Sequence, residues 1–206
     1  MPDKQNLSTE NKFKLAIKNH SKKNFKLAEA IYIEILKIEP NHINTLNNLG
    51  ELYRVIGKFK NAKDCYEKAI KINPNFASAY NNLGLIYLKN KDKFKAKDLF
   101  NKAIEIDPNL ANSNYNLGII YKELGDYKKA KSFYNKVIKI IPSHIETLNN
   151  LGIIHEELGE IEKAKECYKK VITINPNHII ALWNSHILAS DIEEALLFLK
   201  KICEID

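Results

Sequence analysis

Long hydrophobic runs are missing from this 206-residue chain: no stretch approaches the ~18 apolar residues that span a bilayer as a helix. A helical membrane anchor is therefore not expected. The opening segment MPDKQNLSTE lacks the apolar centre of a secretory leader, so export is not expected either. Cysteine is scarce: Cys65, Cys167 and Cys203 are too few and too far apart for a disulfide framework, which fits a reducing, cytoplasmic setting. No glycine-rich phosphate loop, nucleophile elbow or paired-acid motif is present, and the six histidines do not form a metal set. The chain is accordingly expected to have no catalytic residues, cofactor, metal or small-molecule substrate. At 45% hydrophobic and 28% charged it is also not disordered as a whole.

Proline and glycine are few, and their positions are ordered. Apart from Pro2, the prolines are Pro40, Pro74, Pro108, Pro142 and Pro176, each 34 residues after the last. Gly50, Gly84, Gly118 and Gly152 follow the same interval, and Gly57, Gly125 and Gly159 fall seven residues after members of that series. A fixed period of this size marks a repeat architecture. With the proline at position 32, the repeats are 9–42, 43–76, 77–110, 111–144 and 145–178, with a partial sixth from 179; residues 1–8 read as a disordered tail.

Each repeat holds two apolar patterns of helical spacing, here helix A and helix B. Proline ends the second because it lacks an N–H and clashes with the preceding turn. Helix A of the second repeat carries Leu46, Leu49, Gly50 and Tyr53, and the third carries Tyr80, Leu83, Gly84 and Tyr87, all on one helical face. Helix B repeats a small residue (Ala28, Ala62, Ala96, Ala130, Ala164) and, four residues on, an aromatic (Tyr32, Tyr66, Phe100, Tyr134, Tyr168). A small residue facing a large one lets two helices interlock.

These motifs resemble the tetratricopeptide repeat, whose signature has a large residue, Leu, Gly and Tyr on helix A, then Ala, an aromatic and Ala on helix B, then Pro. The resemblance covers about residues 9–206 and implies an all-α, right-handed superhelical solenoid of stacked antiparallel helix-turn-helix repeats. Several departures stand out. Lys12 and Ala16 in the first repeat suit a terminal cap. Lys93 and Phe94 in the third suggest a one-residue slip, and Ser190 with Glu193 reads as a capping box for the last helix. The chain stops at CEID, where the next proline is due, without a polar capping helix, so the polypeptide is expected to continue.

At about 100° per residue, positions 4, 7, 8 and 11 of helix A centre near 30° and positions 2, 6, 9 and 13 near 210°, the opposite face. Asn48, Asn82, Asn116, Asn150 and Asn184 all occupy position 6, and Asn44 and Asn112 position 2. A carboxamide both donates and accepts, so such a row can pair with the backbone of a protein or peptide in extended conformation. Position 9 adds Glu51, Leu85, Ile119 and Ile153. The row is similar to the asparagine ladder in the repeat arm of O-linked N-acetylglucosamine transferases, which implies a grip on peptide backbone. The plain alternative is that position 6 need only be small and polar. A chaperone-tail clamp is excluded, because position 5 (Phe13, Asn47, Asn81, Tyr115, Asn149, Trp183) never supplies its lysine.

The remaining signals are weaker. His42, His144 and His178, at position 34 with Phe76 and Leu110, read as packing between repeats, while His155 and His186 on helix A could approach each other. The net charge of +7 raises nucleic acid as a partner, but most lysines fall on helix B, so neither nucleic acid nor membrane is expected. The expected function is a non-catalytic scaffold that binds an extended peptide. One alternative is the substrate-recruiting arm of a larger glycosyl- or sulfotransferase, by family analogy; another is RNA binding through the basic surface.

Overall fold

In the computed structural model, which describes residues 7–205, twelve helices and no strands occur among the described residues. Most of the expected tail, residues 1–6, lies outside the described residues; Ser8 accepts a hydrogen bond from the Asn11 N–H and caps the first helix. The helices form six hairpins: α1 (Thr9–Ser21) with α2 (Phe25–Ile38), α3 (Ile43–Val55) with α4 (Phe59–Ile72), and α5 (Ala77–Lys89) with α6 (Lys93–Ile106). There follow α7 (Ala111–Glu123) with α8 (Tyr127–Ile140), α9 (Ile145–Glu157) with α10 (Ile161–Ile174), and α11 (Ile179–Ile187) with α12 (Ile192–Cys203). The odd-numbered helices are the A helices. In the first five repeats A runs from position 1 to 13 and B from 17 to 30, so the 34-residue period sets every boundary.

Two compact units divide at a repeat boundary, the first ending at Leu110 and the second beginning at Ala111. Each contains three hairpins. Within each unit an A helix packs on the B helix that follows it, and that B helix on the next A helix.

The interlock of small and large residues is direct. A methyl placed on Gly50 would stand 2.6 Å from a Tyr66 ring carbon, and one on Gly84 would stand 2.7 Å from the Phe100 ring. Gly118 faces Tyr134 and Gly152 faces Tyr168 in the same way. All four rings are fully buried, as are Tyr32 and the Ala16 of the first repeat. Fully burying an aromatic or large aliphatic side chain contributes about 1.5–3 kcal/mol, so these rings anchor each hairpin.

Turn and cap chemistry fixes the connections. Position 15 takes a left-handed backbone in all five complete repeats: Gly57, Gly125 and Gly159 at φ 79°, 74° and 71°, and Lys23 and Lys91 at 62°. Glycine adopts that region without the clash a Cβ brings. Before helix A, the residue preceding the proline often folds back on the chain. Asn73, Asp107 and Asn175 each accept, through the side chain, the N–H two residues on at 2.9–3.1 Å.

Two expectations require correction. The third repeat does not slip: α6 begins at Lys93, in register with the other B helices, and leaves Phe94 80% exposed beneath Lys97. The cap of α12 is one residue later than expected. Asp191 accepts from the Glu194 N–H at 2.8 Å while the Glu194 carboxylate accepts from the Ser190 N–H at 2.7 Å. Ser190 instead accepts from Lys165 through its hydroxyl. Among the described residues no helix is long and apolar enough to cross a membrane.

Candidate functional site

Helix A sends positions 4, 7 and 8 inward, so its opposite face carries whatever else the repeat offers. In the first unit Asn48 is half-buried and donates to the Asn44 carbonyl of its own helix at 2.8 Å. Asn82 is engaged twice: its Nδ2 donates to Asn47 Oδ1 at 2.9 Å, and its Oδ1 accepts from Asn81 at 3.1 Å. Asn44 remains exposed, and Leu85 is half-buried. Glu51 is held by Arg54 through two hydrogen bonds at 2.6 and 2.8 Å, and it also accepts from the Tyr66 hydroxyl at 3.4 Å.

The second unit repeats the arrangement with other partners. Asn150 donates to the Tyr115 hydroxyl at 3.4 Å and accepts from the Lys122 ammonium at 2.7 Å. Asn116 is buried, only 8% exposed, rather than standing out on the face; Asn112 is exposed. Ile119 and Ile153 are half-buried, and Ile119 packs against the cluster of Ala130, Tyr134, Leu151 and Ile154. Asn184 is half-buried on α11.

The position-6 asparagines thus have a structural task that spacing alone did not reveal. In two junctions position 5 of one repeat accepts from position 6 of the next, Asn47 from Asn82 and Tyr115 from Asn150, 35 residues apart, whereas the buried Asn149 amide oxygen ahead of Asn184 receives no such bond. Where position 5 is Phe13, with no polar group, Asn48 turns to its own helix instead.

The histidines differ from expectation as well. His42, His144 and His178 pack as expected in part: Phe13 stands 5.2 Å from His42, and Tyr115 5.2 Å from His144, ring centre to ring centre. They also cap helices. Each Nδ1 accepts the N–H three residues on (Thr45, Thr147, Ala181) at 3.1–3.3 Å, satisfying one of the donors free at a helix start. His155 bonds Glu160 at 2.5 Å and His186 faces the Ala195 carbonyl at 3.0 Å, so both are engaged away from each other.

Titration points to packing rather than chemistry. Burial pushes the Cys65 thiol up to about 11 and raises that of Cys167, which keeps both protonated and unreactive. Burial also raises Tyr66 and Tyr168 far above the usual phenol range, with Glu51 and Glu156 adding to the effect. No group of three or more metal-ligating side chains occurs among the described residues.

Comparison with known proteins follows the same lines. Models of a family described as tetratricopeptide repeat match residues 75–143 and 110–177, and one described as TPR repeat matches 50–91. The crystal structure of MamA is 30% identical, with a TM-score of 0.65, and the alignment covers 78% of this chain and 94% of that one. YrrB, described as a TPR protein with an unusual peptide-binding site, is 25% identical at a TM-score of 0.62, covering 84% of this chain and 89% of its own. PilF of Pseudomonas aeruginosa shares the fold at a TM-score of 0.86 and 17% identity, covering 96% and 91%. No curated protein matches the chain.

Proposed function

Since the chain belongs to the tetratricopeptide repeat family, we propose that it is a non-catalytic scaffold whose A-helix faces hold an extended segment of a partner protein. One observation carries the reading. Asn48, Asn82 and Asn150 at position 6 and Leu85, Ile119 and Ile153 at position 9 stay half-exposed, and Ile187 on α11 is 62% exposed. Partly exposed apolar surface beside hydrogen-bonding groups is a docking surface. YrrB, whose description includes a peptide-binding site, supports the same reading for a chain of similar sequence.

The asparagine row is the proposed polar half of that surface, working with the atoms its internal bonds leave over. Asn48 spends only its Nδ2, and Asn150 receives one ammonium on an oxygen with two lone pairs. Each amide bond to a bound backbone contributes about 0.5–1.5 kcal/mol, so several must act together. The test replaces Asn48, Asn82 and Asn150 with alanine and measures binding of peptides selected on the unaltered chain from a random display. Helical circular dichroism should persist, the unfolding midpoint should fall because the Asn82 and Asn150 bonds are lost, and affinity should drop at least tenfold. Unchanged affinity in the folded variant would refute the ladder.

A further inference from the structure

Charge is distributed differently on the two helix layers of the second unit. Its three A helices carry one lysine against four glutamates, net −3, whereas its three B helices carry eleven lysines against four glutamates, net +7. The first unit shows no such reversal: its A helices carry five basic residues against two acidic ones, net +3, and its B helices ten against six, net +4. Of the four glutamates on the second unit's A helices, Glu156 turns to the Tyr168 hydroxyl. The outer face is therefore acidic chiefly through Glu146 and Glu157, against the Lys122 ammonium held by Asn150, on a chain of net charge +7.

The same acidic face holds a row of aliphatic side chains. Ile119, Ile153 and Ile187 occupy position 9 of three successive A helices, and Ile180 and Trp183 on α11 are 57% and 49% exposed. Glu146 and Glu157 lie at positions 2 and 13 of α9, on the helical face that carries Ile153; both are exposed, the Glu146 side chain by 66%.

We infer that the A-helix face of the second unit selects a partner segment with lysine or arginine side chains set among aliphatic ones. This rests on the docking reading above and adds the ligand's chemistry. Either feature alone would be ordinary: exposed carboxylates are hydrated, and scattered exposed isoleucines are common on surfaces. Together they are met by one class of ligand, whose aliphatic residues cover the isoleucine row while its cations meet Glu146 and Glu157. Acidic peptides and nucleic acids are repelled from this face in spite of the net charge, because like charges brought together lower affinity.

The experiment uses the full chain and two synthetic peptides of equal length, one of alternating leucine and lysine, the other of alternating leucine and glutamate. Binding is followed by fluorescence anisotropy at low and high salt. The Leu-Lys peptide should bind. Glu146→Gln with Glu157→Gln, at exposed positions that leave the fold intact, should weaken it by about twofold to thirtyfold, as loss of two exposed ion pairs implies, and salt should do the same. Ile187→Asn should weaken it further. Equal binding of both peptides, each reduced by Ile187→Asn, overturns the inference about charge and leaves the docking reading standing. Preference for the Leu-Glu peptide also overturns it. Failure of both peptides to bind, or binding that none of these substitutions moves, overturns the inference together with the docking reading of this unit.

Discussion

The contact between Gly84 and Phe100 yields the sharpest test of how the hairpins close. In Gly84→Ala the added methyl would sit 2.7 and 2.9 Å from two ring carbons of Phe100, well inside ordinary contact. Such overpacking costs about 1–3 kcal/mol, while replacing glycine by alanine in a helix interior returns about 1 kcal/mol. The single variant should therefore lose about 0–2 kcal/mol. Phe100→Leu shortens the ring side and vacates that space, so in the double variant the methyl no longer clashes. Urea unfolding of the four proteins, followed by helical circular dichroism, gives the cycle. The double variant should be more stable than the sum of the singles by about 1–3 kcal/mol, with the denaturant slope unchanged. Additivity within about 0.5 kcal/mol would mean that ring and glycine do not interlock. Ala16, fully buried at the same position of the first repeat, already shows that a methyl there is compatible with the fold.

Three further outcomes are expected. Lys91→Gly, at a φ of 62°, should raise the urea midpoint by the equivalent of about 0.5–1 kcal/mol, since relieved backbone strain exceeds the entropy glycine loses on folding; a fall would contradict the strain. The Tyr32 and Tyr134 hydroxyls are buried without a partner, whereas that of Tyr168 donates to Glu156. Tyr134→Phe should thus be neutral or stabilising and Tyr168→Phe should cost about 1–2 kcal/mol; equal melting shifts would sink the distinction. At alkaline pH, burial holds Tyr32 at about 12, and burial with Glu29 holds Tyr53 there as well. Because these folded values lie above the ordinary phenol value of about 10, their stabilisation is complete below that pH and lost as pH rises towards 12. Tyrosinate absorbance and loss of helix should then rise together; a helical signal intact after all ten tyrosines have ionised would refute this.

The helix boundaries were legible because proline and glycine act through the backbone, and backbone demands recur at a fixed place in every repeat. Gly57 marks a left-handed turn, and that turn persists at Lys91, where the residue gives no sign of it. The Phe94 position was misread for the same reason: an aromatic near a helix start looks like a core residue, but the register set by the turn leaves it in solvent. The capping histidines were hidden because Phe76 fills the same position without making a cap bond, so the column reads as apolar. Side-chain pairing between repeats was the least legible part. Asn82 and Asn48 are the same residue at the same position, yet one reaches across to Asn47 and the other, behind Phe13, turns back to its own helix.

That dependence bears on how such a chain can be rearranged. Inserting or deleting 34 residues keeps every helix boundary, so a recombination event of that length preserves the scaffold. The amides impose an order on the pieces all the same. The repeat that begins at Ala77 carries Asn82 and finds its acceptor in Asn47 of the repeat before it; placed directly behind Phe13, its amide would have no acceptor across the junction. The backbone makes the repeats interchangeable as lengths, and the position-5 residue makes them distinguishable as neighbours.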